Sequence, residues 1–238
     1  MSFLMVKYSI CITHYNMKDT LREFMESVFV QIDSSFEVVV CDNCSDDGSR
    51  EILEDYARAG KIRLLVQKSS RGKGRQIAFE NSTGDYIISG LDSDDVLKPT
   101  LKDVLKIYHS EHEGYALSFG TIHFIPRPLV ESVGGWRDLQ SLEDVDFCKR
   151  VEILGKMHYF EDDSFVMQRR GRVKRSIFYR TKERYSYYKC AYQIGRCVWS
   201  EIIKKQSVIW YRRPIEFVLA LTAVANLKIK KVKKFKYA

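Results

Sequence analysis

Three carboxylates fall within five residues in Leu91-Asp92-Ser93-Asp94-Asp95, directly after the apolar run Tyr86-Ile87-Ile88-Ser89-Gly90. Oxygen ligands gathered at the end of a rigid strand suit a hard divalent ion, Mg²⁺ or Mn²⁺, and such ions keep positions open for phosphate oxygens. A nucleotide-linked substrate is the first chemistry this spacing suggests. The competing explanation is an acidic turn, with Asp95 capping a helix that starts at Val96. Another acid, Asp42, ends a second apolar run at 36–41. Glu143-Asp144-Val145-Asp146 opens a helical stretch, where a first turn favours negative charge whatever its chemistry.

The elements that must hold these acids are readable from hydrophobic period. Residues 6–12 read as a strand, and 19–31 carry Leu21, Phe24, Met25, Val28 and Phe29 at helical spacing. A strand follows over 36–41, then a helix over 49–58 with Ile52, Leu53 and Tyr56 on one face and Gly60 as its stop. A third strand spans 62–66, Gly72-Lys73-Gly74 opens a helix ending near Gly84, and 86–91 is the fourth strand. This βαβαβαβ order predicts an α/β fold with a mostly parallel, Rossmann-like sheet and helices on both faces. Its ligand site lies at the carboxyl ends of the strands, where Asp42 and the 91–95 cluster both fall. Beyond Pro99 the pattern predicts a helix to about residue 111, a strand over 115–125, a loop around Pro126 and Pro128, and a helix over 143–154.

Charge divides the chain. Residues 1–167 hold 19 basic and 28 acidic side chains, a net of −9, and residues 168–238 hold 20 and 3, a net of +17. We therefore expect an acidic α/β domain over 1–168 and a basic, aromatic-rich helical extension over 169–238. In the extension, Tyr185, Tyr188, Tyr192, Trp199 and Ile202 share one helical stripe, and Pro214 separates it from a second helix. Trp210, Tyr211, Phe217, Val218, Leu219 and Leu221 lie between Arg212-Arg213 and the lysines of 228–234. That arrangement suits a helix lying on an anionic membrane surface, or else a packed helical pair with a solvated lysine end. Six cysteines without a framework spacing, and no cleavable leader or membrane-length apolar run, predict a reduced, cytoplasmic protein with at most peripheral membrane contact.

Five segments in order carry a resemblance to a known family. They are Ile12-Thr13-His14-Tyr15-Asn16; the stretch Val40-Cys41-Asp42-Asn43-Cys44-Ser45-Asp46-Asp47-Gly48-Ser49; Gly72-Lys73-Gly74-Arg75 with Ser82-Thr83-Gly84-Asp85-Tyr86; Leu91-Asp92-Ser93-Asp94-Asp95 with Pro99; and Gly134-Gly135-Trp136 with Glu143-Asp144-Val145-Asp146-Phe147. Over about 6–155 the chain resembles the family 2 glycosyltransferases, inverting enzymes of the GT-A fold. The resemblance implies that Thr13 and Tyr15 line the nucleotide pocket and that Asp42 accepts a hydrogen bond from the base. It implies that Asp92 holds the ribose and Asp94 ligates a divalent ion, Mn²⁺ or Mg²⁺. Lys73 and Arg75 would add positive charge near the nucleotide.

On the acceptor side the resemblance makes Asp144 the general base, with Glu143 and Asp146 as competitors. Gly134 and Gly135 would admit the sugar, and Trp136 would stack on a sugar face or pack in the core. Cys44 stands where the family usually has Gly, and no histidine follows His158 to complete a metal site; one or more of Arg169, Arg170 and Arg172 would contact the diphosphate instead, the alternative being a surface basic loop. The implied partners are a nucleotide-diphosphate sugar, UDP-sugar favoured, and a hydroxyl acceptor on a glycan or a lipid-linked molecule. The alternatives are a nucleic-acid or membrane-binding module acting through the basic tail, or a nucleotidyltransferase. The latter lacks a Gly-rich triphosphate loop after the first strand.

Overall fold

Period-two alternation in the first strands sends successive side chains to opposite faces, and each face meets its own helices. The structure, a computed structural model, describes residues 7–119, 121–160, 167–168, 177–196 and 213–229. The strands β1 (Tyr8–His14), β2 (Phe36–Asp42), β3 (Arg63–Val66) and β4 (Tyr86–Ser89) run parallel in the order β3-β2-β1-β4. The helices α1 (Lys18–Phe29), α2 (Ser49–Arg58) and α3 (Arg71–Glu80) connect them. Ile10, Ile12, Val38 and Val40 pack with Leu21, Phe24, Met25 and Val28 of α1 and with Leu53 of α2. Cys11, Val39, Cys41 and Ile87 face the other way, with Ile77, Ala78 and Phe79 of α3.

The second half of the sheet corrects two expectations. Residues 115–125 form two strands, β6 (Ala116–Phe119) and β7 (Ile122–Pro126), paired antiparallel, because the apolar pattern runs unbroken through the turn between them. β7 also pairs antiparallel with β4, and an edge strand, β8 (Met157–Phe160), runs parallel to β6, giving the order β3-β2-β1-β4-β7-β6-β8. The segment around Pro126 and Pro128 is a short helix, α5 (Arg127–Ser132), with proline in its first turn, where no backbone N–H is required.

Asp95 does not cap a helix. The residues after it form β5 (Val96–Leu97), paired antiparallel with β9 (Met167–Gln168), and α4 (Leu101–Ile107) starts only after Thr100. α4 continues as a π-helical turn over Tyr108–His112. α6 (Glu143–Ile153) follows the expected boundaries closely.

In the extension, α7 (Ile177–Gln193) and α8 (Arg213–Ile229) pack together through Tyr188, Ala220 and Ala223, and Cys190 and Ile194 seat the end of α7 on Leu139. Tyr188 of the expected stripe is thus buried against α8, while Trp199, Ile202, Trp210, Tyr211 and the lysines from 230 onward lie outside the described residues. Among the described residues no helix is long and apolar enough to cross a membrane, and the described cysteines are free.

Gly90 links β4 to the acidic cluster and has φ +85°, a conformation other residues reach only with strain. A Cβ there would lie 1.7 Å from the Thr121 carbonyl oxygen, a backbone atom that cannot swing aside. Gly90→Ala is therefore expected to destabilise by at least about 2 kcal/mol, a fall in Tm of roughly 4–8 °C for a chain of this size. A melting curve within 1 °C of wild type would show that the link is not under this constraint.

Candidate active site

Parallel strands that end in register bring their following loops to one edge, and here His14 of β1 stands opposite Asp42 of β2. The edge carries a cleft of about 280 Å³ lined by Thr13 and His14 at the end of β1, Tyr15 and Met17 after it, Asn43 after β2 and Leu91 to Asp94 after β4. Ser70, Arg71 and Arg75 at the start of α3 line it too, as do Gln140 and, from α7, Glu183. The 91–95 cluster is the polar floor. Asp92, Asp94 and Asp95 each present a carboxylate oxygen, and the three oxygens lie within 4.8 Å of one another. This hard-oxygen donor set fits a divalent cation, with Asp92 and Asp94 on the cleft side and Asp95 buried behind them.

Ser93, between the two cleft-lining acids, is fixed from two sides. Its hydroxyl lies 3.1 Å from His14 Nδ1, and its carbonyl accepts from Thr20 Oγ1 at 2.7 Å. His14 is buried, so desolvation lowers its pKa against the opposing pull of Asp42 and Asp47, and its Nε2 has no hydrogen-bond partner.

The first turns of α3 and α6 are locked together. Gly72 N–H donates to the Leu139 carbonyl at 2.9 Å, and Ser70, the N-cap of α3, donates its hydroxyl to Asp138. A Cβ on Gly72 would lie 2.1 Å from the Arg137 carbonyl oxygen. Only a glycine permits this approach. It places Arg75, 4% exposed, between the two acids that open α6. Arg75 Nη2 donates to Glu143 Oε1 at 3.1 Å and to Asp144 Oδ2 at 3.0 Å, and Nη1 donates to Ser89 Oγ at 3.3 Å.

The three acids of that turn are now distinct. Asp146 is fully buried and held by Arg137 at 3.0 Å and Arg150 at 2.8 Å. Glu143 is buried and held by Arg75, with Arg71 at 3.8 Å. Asp144 keeps about a quarter of its side chain exposed, but its Oδ1 is buried and has no partner. Burial pushes the carboxyls of both Glu143 and Asp144 above their ordinary range, each helped by a neighbouring acid (Asp144 for Glu143, Asp92 for Asp144) and opposed by Arg75.

Of the residues expected from sequence, Thr13, Tyr15, Asp92, Asp94 and Arg75 line the cleft, and Asp144 adjoins it through Arg75. Asp42 is buried beneath, accepting from Ser45 N–H at 2.9 Å and Ser45 Oγ at 2.5 Å with Arg50 Nε 3.6 Å away; the neighbouring Asn43 reaches the cleft. Lys73 is not among the lining residues. Trp136 lies in the core, stacked on Phe147 with ring centres 4.5 Å apart and edge-on to Phe79. Gly135, at φ +65°, lets the Gln76 side chain reach the Trp136 N–H at 2.8 Å. Gly135 and Trp136 therefore shape the wall behind the site, and Glu143 anchors Arg75. Arg169, Arg170 and Arg172 lie outside the described residues. Cys44 adopts φ +55°, as expected of a position where glycine is usual. His14, Asn43, Ser70, Arg71, Gln140 and Glu183 were given no role from sequence; His14 and Asn43 lie within recognised segments and Ser70 and Arg71 adjoin one, whereas Gln140 and Glu183 carry no local pattern.

A model of the family described as Glycosyl transferase family 2 matches residues 9–204. The chain belongs to this family. The glycosyltransferase is 31% identical over 119 residues, or 48% of its length, to the poly(ribitol-phosphate) β-N-acetylglucosaminyltransferase TarS of Staphylococcus aureus. It spans under half of the curated relatives it matches, 21% of TarS and 40% of EpsE of Bacillus subtilis. Among solved structures it is similar to S. aureus TarS residues 1–349 in complex with UDP, with a TM-score of 0.58 and 20% identity over 76% of this chain and 64% of that one. It is also similar to the mannosyltransferase PcManGT of Pyrobaculum calidifontis in complex with GDP-Man and Mn²⁺, with a TM-score of 0.63 and 17% identity over 94% of this chain and 74% of that one. These likenesses place the seven-stranded sheet and its helices in the GT-A fold. Family membership also favours the glycosyltransferase reading over the nucleotidyltransferase alternative.

Proposed function

We propose that this glycosyltransferase moves a sugar, with inversion, from a nucleoside-diphosphate sugar, UDP-sugar favoured, to an acceptor hydroxyl. The observation that carries the reading is the Asp144 carboxylate, about a quarter exposed and held through Oδ2 by the cleft-lining Arg75, with its buried Oδ1 left without a partner, beside a cleft lined by Asp92 and Asp94. The acceptor hydroxyl gives its proton to the Asp144 carboxylate as its oxygen bonds to the anomeric carbon. The bond from that carbon to the diphosphate breaks with its electron pair leaving on the phosphate oxygen. Asp94, with Asp92 and Asp95 beside it, would hold a divalent ion, which when bound offsets the charge gathering on the departing diphosphate. Arg71, in the cleft wall, adds a guanidinium that matches phosphate oxygens. Tyr15 and Asn43 line the end of the cleft where the nucleoside would sit. UDP in a TarS complex and GDP-Man with Mn²⁺ in a PcManGT complex support a nucleotide-sugar donor of this class.

A thermal-shift series tests the reading. With Mn²⁺ present, UDP or a UDP-sugar at about 100 times its Kd is expected to add about 2.7 kcal/mol, or roughly 5–10 °C in Tm. GDP-mannose serves as the comparison that decides the base. No shift with any uridine or guanosine diphosphate or its sugar, with and without Mn²⁺, would sink the proposal.

A further inference from the structure

Arg75 has the position of a donor ligand but the bonding of something else. It lines the cleft, yet its guanidinium is already engaged: Nε and Nη2 both donate to Glu143 Oε1, at 3.3 and 3.1 Å, Nη2 donates to Asp144 Oδ2, and Nη1 to Ser89. One positive charge faces two carboxylates, so little of it is left for a diphosphate. The binding is also asymmetric in a useful way. Arg75 takes Oδ2 of Asp144 and leaves Oδ1 without a partner. Glu143 in turn fixes Arg75 through Nε and the same Nη2, and the Gly72 contact holds the two helix ends close enough for the whole arrangement.

We propose that Arg75 is a positioning residue: anchored by Glu143 and Ser89, it holds Asp144 by Oδ2 and so fixes the orientation of the carboxylate that accepts the proton. The inference rests on the reading of Asp144 as the base. It assigns the guanidinium fork to orientation of the acceptor side, and leaves Arg71 as the arginine of the wall that serves the donor. The planar fork matters here, because an ammonium directs its three N–H bonds from a single nitrogen and cannot span Glu143, Asp144 and Ser89 as three separate guanidinium nitrogens do. The charged and titratable groups acting on Asp144 are Arg75, Arg71 and Asp92, with Glu143 beside it and Cys148 one turn along α6.

The test uses the full chain with Arg75→Lys, Arg75→Gln and Asp144→Asn, measuring UDP release from UDP-GlcNAc and GDP release from GDP-mannose with Mn²⁺ over a range of pH. Arg75→Lys is expected to lose about 10- to 100-fold in kcat with less than about a threefold change in donor KM, because binding is spared and the base is misplaced. In Arg75→Gln the loss is larger and the acidic limb of the kcat profile moves up by about one pH unit, since the charge that favours ionised Asp144 is gone. The same midpoint is read without turnover from the Asp144 carboxyl ¹³C resonance, identified by its absence in Asp144→Asn. Arg75→Lys keeps charge and near-native volume and so remains informative if Arg75→Gln folds poorly. A loss confined to donor KM, or an Asp144 midpoint unmoved in Arg75→Gln, would overturn the positioning role. If Asp144→Asn itself turns over at the wild-type rate, the base assignment fails first, which separates the two failures.

Discussion

Asp94→Ala is expected to lose the Mn²⁺-dependent part of nucleotide binding, by roughly 100-fold or more, because loss of an outer-shell partner alone costs metal sites 10- to 100-fold and a direct ligand more. Asp94, like Asp92, is only partly buried and lies on the cleft side, so removing its carboxylate opens no gap in the core. Its loss therefore reads out in ligand binding and hardly in the melting temperature of the unliganded protein. Asp95 makes the contrast: it is buried, and Asp95→Ala is expected to lower the unliganded Tm as well. Titration calorimetry with UDP, with and without Mn²⁺, measures the effect. Equal Mn²⁺ dependence in Asp94→Ala and wild type would remove Asp94 from the metal site.

Asp144→Asn separates chemistry from binding. The amide oxygen can still accept the Arg75 hydrogen bond, so donor affinity should stay within about twofold, while transfer falls by about 10²- to 10⁴-fold, the range expected for loss of a general base. The pH dependence has a definite sign. Burial lifts the Asp144 pKa, Arg75 pulls it down and Asp92 pushes it up, with a net rise. The base works only when ionised, so wild-type kcat falls as pH falls through a midpoint above the ordinary aspartate value of about 3.9. That limb disappears in the variant. Unchanged transfer by Asp144→Asn would pass the base role to Glu143 or another group.

Much of the nucleotide side of this site was legible in sequence because it is built from strand ends. β1, β2 and β4 announce themselves by apolar runs, and the residues that follow each run must collect at one edge, so Thr13, Tyr15 and the 91–95 cluster could be placed together without coordinates. The acceptor side was legible as a segment and not as an arrangement. Arg75 meets Glu143 and Asp144 across 68 and 69 residues, and nothing local distinguishes a buried arginine at the start of α3 from a solvated one. Trp136 and Phe147 likewise form a stack that no spacing rule foretells. The β6–β7 hairpin was missed because two short apolar strands joined by a tight turn look like one longer strand.

Glu183 of α7 brings the cleft a wall from beyond the sheet, 170 positions after Thr13. This has a consequence for biogenesis. β1 to β4 pair through successive βαβ units and can assemble early as the chain leaves the ribosome, but β7 must then slot against β4, and α7 must dock on Leu139, before the cleft is whole. A nascent chain released before α7 would hold the acidic edge and lack its wall. The capacity to grip a donor is thus expected to be acquired late in synthesis, after the core that supports it.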